Sequence, residues 1–206
     1  MLTRATPDKS ERAAHDQKTR TKRLCLRDGG GNAVSYNIQI GEACLEDMSY
    51  DKCAGLRVWA KRAAHDDAPT FENDDMTANG NCRSPGYSAW SEFCRETGLY
   101  AMFFGLDGRR NPYMRPDEDN CHRETPLLAE HPGFQAINKY DVEHVKERLD
   151  AYRAKYPNAK PGFDTWSTKD EDARPIEDAH MASLIWLHYW MDWAVKTCAH
   201  PIVANS

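Results

Sequence analysis

A chain of 206 residues with 40% apolar and 29% charged side chains has the size and balance of one globular domain with a sizeable core. Its formal net charge of -5 argues against wholesale nucleic-acid binding. No run approaches the ~20 clean apolar residues of a membrane span, so no membrane association is expected.

The charge is uneven along the chain. Residues 1–24 carry seven Lys or Arg against three acids, and residues 66–80 carry five acids and no base. Residues 1–20 lack apolar periodicity and read as a flexible basic arm, leaving residues 21–206 as a single α+β domain. The stretch 1–24 is where phosphates of a nucleic acid would be met, although no aromatic side chains interleave with its charges. The first residues include no apolar h-region, so a secretory signal is not expected there and a cytoplasmic location is. Seven cysteines, odd in number and without a CxxC pair, agree with a reducing compartment and speak against a disulfide framework.

Two β-prone runs around Asp28, Gly29, Gly30, Gly31 and Asn32 predict a hairpin over 22–40. A phosphate loop is the weaker reading of these glycines, because no GK[ST] and no helix follow them. Apolar positions Tyr50, Cys53, Ala54, Val58 and Trp59 are then read as a helix within 42–64, with Gly55 against it. An acidic loop follows over 65–80. Trp90, Phe93, Cys94, Thr97, Ala101 and Phe104 stand at helical spacing and predict a helix over 88–104, ended by Gly105.

The long loop 105–126 contains three prolines and alternates Arg with acids. One or two short strands are expected in 127–137, and Asp141 is expected to cap a helix burying Val142, Val145, Leu149 and Tyr152 until Pro157 stops it. The segment 175–198 holds three tryptophans, a tyrosine and two histidines in a largely apolar run, which predicts a core helix. The whole reads as three to four helices packed on a small, mostly antiparallel sheet, built around the aromatic C-terminal helix.

No complete catalytic motif is present. For a divalent metal such as zinc, the candidate ligands are His122, His131, His188 and Asp192, the last two sharing a helix face at i, i+4. His180 lies about 12 Å along the helix from His188 and cannot share one metal with it. Acid-base chemistry would fall to His122, Glu124 and His131, with Arg109, Arg110, Arg115 and Arg123 available to bind an anion or an acidic partner. Cys121 beside His122 invites a thiol reading, but adjacent side chains point apart. The leading expectation is a non-enzymatic accessory, regulator or inhibitor that binds a protein partner and needs no cofactor. The alternative is a metal-assisted or acid-base hydrolase of a phosphate-containing or other anionic small molecule.

Overall fold

The computed structural model describes residues 35–50, 53–71, 74, 79–105, 123–163 and 178–205, which lie within one compact unit, Val34–Ser206. The expected arm and most of the 22–40 hairpin lie outside the described residues. Residues 38–40, at the end of that hairpin, are strand.

The segment expected to be a helix over 42–64 is instead a β-hairpin. Strand β1 (Ile38–Tyr50) turns back as β2 (Cys53–Ala60), paired antiparallel from Ala43↔Ala60 to Tyr50↔Cys53. Gly41 and Gly55 each weaken a helix by about 1 kcal/mol, and a long-range partner decides the outcome. Trp59 and Ala60 bury their side chains with Ile202 and Ala204 from the chain terminus, against Cys44 and Val58. A Cβ on Gly41 would approach the Asn81 amide nitrogen to 3.1 Å and the Lys61 carbonyl to 3.2 Å, so glycine lets the backbone pass there.

The sheet order is β2-β1-β5-β4, all antiparallel, where β4 is Gly133–Ala136 and β5 is Pro201–Asn205. The two-residue β3 (Cys82–Arg83) pairs with the start of β1. β5 has no counterpart in the sequence reading. It occupies a central position, with Ile202, Val203 and Ala204 buried, because both of its edges find partners. Buried Asn81 fastens β1 to the chain leaving β2: its amide donates to the carbonyls of Ile40 (2.7 Å) and Lys61 (2.8 Å) and accepts from the Ala63 N–H (2.9 Å).

Four helices among the described residues pack on this curled sheet. The helix expected over 88–104 is two: α1 (Tyr87–Thr97) and α2 (Tyr100–Phe104). Gly98, at φ 72°, donates to Arg95 O while Leu99 donates to Cys94 O, a left-handed closure that only glycine adopts without strain. α3 (Lys139–Lys155) buries the four expected side chains. Its cap is Asn138 rather than Asp141. The Asn138 side chain accepts from the N–H groups of Tyr140 and Asp141, and the Asp141 carboxylate accepts the Asn138 N–H, a reciprocal capping box. α4 (Ala179–Thr197) starts at Asp178, whose carboxylate accepts from Met181 N–H at 2.9 Å. Trp186, Leu187, Trp190 and Met191 are fully buried, so the aromatic helix is the core element its composition predicts.

A buried ion pair ties these layers together. Arg83 donates to both oxygens of Asp74 (3.3 and 2.5 Å), and the two side chains are 5% and 1% exposed. The guanidinium carbon lies 4.6 Å from the Phe163 ring centre, 5.2 Å from Trp186 and 5.9 Å from Phe71. Burial pulls the arginine pKa down and Asp74 opposes that shift. Removing one partner strands the other charge in the interior. Asp74→Ala is therefore expected to cost about 3–5 kcal/mol in urea unfolding, and the apolar double substitution R83M/D74L to recover much of that loss.

Candidate functional site

An open cleft of ≈ 640 Å³ lies between the segment that enters at Arg123, the end of β4 and the first turn of α3. Arg123 forms its wall and is fully engaged in it. The guanidinium donates to Thr125 O (3.0 Å), Ala136 O (2.9 Å) and the Asp141 carboxylate (2.5 Å), the oxygen that also closes the α3 capping box. Its charge is thus neutralised by a carboxylate only 4% exposed, and it holds three chain segments in place. Glu124 stands exposed on the rim, beside Tyr140, which is 62% exposed.

The cleft runs along the outer edge of the sheet. Ile137 N–H donates to Pro201 O at 3.0 Å, which sets the phase of the β4–β5 ladder: Gly133 and Gln135 direct their backbone groups to β5, and Phe134 and Ala136 direct theirs outward. Arg123 takes the outward carbonyl of Ala136. Phe134, 42% exposed, stands over a second hollow of ≈ 210 Å³ that Val58, Trp59 and Glu130 also line.

His131 belongs to a different constellation. Its Nδ1 is 2.9 Å from Asn205 Oδ1, and its Nε2 is hydrogen-bonded to the Tyr87 hydroxyl. Asn205, 1% exposed, spends its amide hydrogens on the carbonyls of Glu130 (2.9 Å) and Gly133 (3.4 Å), so its oxygen must be the acceptor. His131 Nδ1 therefore carries a proton, and Nε2 faces the Tyr87 hydroxyl. Tyr36 stacks on Tyr87 at 4.1 Å between ring centres and lies 5.4 Å from the His131 ring.

His188 and Asp192 share a face of α4, as their spacing predicts, and Asp192 pairs with Lys196 at 2.7 Å. The half-buried His188 lies within the field of Lys146 and Asp150 from α3. His180 lies near Phe93 and Tyr152, with ring centres 6.0 and 6.5 Å away. The structure thus gives His131 and His188 separate neighbourhoods, with no residue in common. Among the described residues no three His, Cys, Asp or Glu side chains are grouped to hold a metal. His122, Cys121, Arg109, Arg110 and Arg115 lie outside the described residues. Tyr87 and Asn205 escaped the sequence reading because they join His131 across 44 and 74 positions, and no local pattern marks either. No helix among the described residues is long and apolar enough to cross a membrane. Comparison with protein families, with curated proteins and with solved structures finds no match to this chain.

Burial lowers the pKa of His188 below its ordinary 6.5; Asp192 and Asp150 oppose the shift, and Lys146 and Lys196 add to it. The folded state then resists the proton that the unfolded chain accepts. The stability that the neutral ring contributes is complete above the ordinary histidine value and lost as the pH falls through it toward the lower folded value. Between about pH 7.5 and about pH 5, the thermal midpoint of His188→Gln is expected to fall less than that of the unsubstituted protein, as read by circular dichroism melts at both pH values.

Proposed function

We propose that this protein is a binding protein, a cytoplasmic accessory, regulator or inhibitor, that takes an extended segment of a partner protein along the outer edge of β4. The observation that carries this reading is the position of the ≈ 640 Å³ cleft beside a strand edge whose Phe134 and Ala136 backbone groups face away from the sheet. An added strand would bond to the Phe134 N–H and C=O and to the Ala136 N–H, the Ala136 carbonyl being held by Arg123, and place its side chains alternately in the cleft and over Phe134. The rim favours a particular chemistry. Arg123 is neutralised by Asp141 and Lys139 lies over the Tyr140 ring, whereas Glu124 at the cleft and Glu130 at the second hollow are exposed acids and Phe134 is an exposed ring. A segment with basic residues flanking an apolar or aromatic one fits best.

The compartment rests on thiol chemistry. The seven cysteines of the sequence, odd in number and without a CxxC pair, suit a reducing cytoplasm. The Arg123 wall supports the reading by holding the edge rigid, which reduces the ordering cost of association.

A displayed library of linear peptides, selected on the purified full chain, should enrich basic-apolar sequences that bind with measurable affinity. Ala136→Pro removes an N–H that does not serve β5, so it should leave the thermal midpoint nearly unchanged and weaken the selected peptides about tenfold or more, as read by titration calorimetry. Glu124→Lys should weaken them further at low salt than at high salt. Selection of no linear peptide, or equal binding by Ala136→Pro, would refute the edge-pairing reading.

A further inference from the structure

The Tyr87–His131–Asn205 chain is set apart from the β4 cleft and asks for a separate account. A buried asparagine whose amide hydrogens are both spent on carbonyls fixes one tautomer of an exposed histidine, and the histidine's remaining nitrogen accepts a phenolic proton. The arrangement of hydroxyl, base and orienting amide is that of a nucleophile activated through a histidine, recognised by geometry and role. We propose that Tyr87 is a nucleophilic site for acyl transfer from uncharged esters, with His131 as its base and Asn205 as a positioning residue.

The neighbourhood selects the substrate class. The rings packed against Tyr87 are those of Tyr36 and His131, with Phe104 6.2 Å from Tyr36 between centres. Burial, more than the nearby Tyr87, Cys94 and Tyr100, raises the Tyr36 pKa, so that ring remains a neutral phenol around pH 7. Aromatic walls suit an acyl or aryl ester, and Tyr36 and Phe104 bring no fixed positive charge of the kind that would hold a phosphoryl group.

The step balances without a co-reactant other than water. Tyr87 Oη forms a bond to the ester carbonyl carbon as its proton passes to His131 Nε2. The carbon–oxygen bond to the alcohol breaks, and the departing alkoxide takes that proton. Water then attacks the acyl-tyrosine, giving up a proton through His131 Nε2, and the carboxylic acid leaves as Tyr87 regains its hydrogen. Asn205 accepts from Nδ1–H throughout and holds the ring when it is charged.

The full chain mixed with p-nitrophenyl acetate should release a rapid burst of about one p-nitrophenolate per chain, and peptide mapping by mass spectrometry should find the acetyl group on Tyr87. Tyr87→Phe keeps the ring stack with Tyr36 and should lose both burst and adduct. His131→Gln, a second test should the first variant fold poorly, should slow acylation about tenfold or more. Asn205→Ala should slow it as well and move the His131 proton from Nδ1 to Nε2 in nitrogen-15 spectra, a change that mere loss of packing would not produce. Acetyl groups confined to lysines, or a burst unchanged in Tyr87→Phe and His131→Gln, would overturn the proposal. An unchanged rate and tautomer in Asn205→Ala would overturn the role given to Asn205.

Discussion

A guanidinium taken out of water must be surrounded by groups that replace its hydration, and the layout of this fold follows closely from meeting that demand at Arg83. The pair with Asp74 supplies the opposite charge, and three aromatic faces from separate parts of the chain pack around the guanidinium: Phe71 after β2, Phe163 after α3 and Trp186 in the middle of α4. The buried Nε–H of Arg83 finds no acceptor among the described residues. Phe71 and Phe163 also meet edge to face at 5.7 Å. Because Arg83 lies in β3, the pair fixes the sheet's start against the core helix. The Trp186 indole adds a bond to the Gly80 carbonyl at 2.9 Å, three positions away from Arg83. A pair so deeply buried contributes little net energy compared with apolar packing, but it penalises any arrangement that leaves it incomplete.

Around that node the molecule separates rigid anchoring from exposed polar chemistry. Arg123 shows the first: three acceptors on three segments, and a carboxylate that serves a helix cap at the same time. Tyr152 shows it again, donating to Asp178, the cap of α4, while burial and that carboxylate raise its pKa. The exposed groups lie around the β4 edge and at His131, both within a short reach of the chain from Glu130 to Ala136. The outward edge of β4 and the hydroxyl–imidazole–amide chain coexist there because β5 backs both: Val203 pairs with Gln135, and Asn205 orients His131.

The helices were legible wherever a local pattern sufficed. The stripe of Val142, Val145, Leu149 and Tyr152, the stop at Pro157 and the apolar run through Trp186 and Trp190 all describe what is buried. Helix stripes repeat within a few residues and need no knowledge of a distant partner. The hairpin at 38–60 was misread for the opposite reason. Its apolar positions admit either period, and Ile202 and Ala204, which settle the matter for Trp59 and Ala60, stand some 140 positions away. The candidate site divides in the same way. His131 and Arg123 are visible as polar groups in a turn and a loop, yet their partners Asn205, Tyr87 and Asp141 come from other elements.

Composition and periodicity alone determined an α+β domain with an aromatic core helix, because burial of a stripe is a property of consecutive residues. The central place of β5, the outward edge of β4, the conversion of Arg123 from a free cation into a wall, and the tautomer of His131 were decided only by tertiary structure. Each of these depends on a hydrogen bond whose two ends are distant in the chain, and such a bond leaves no periodic trace in the sequence that makes it.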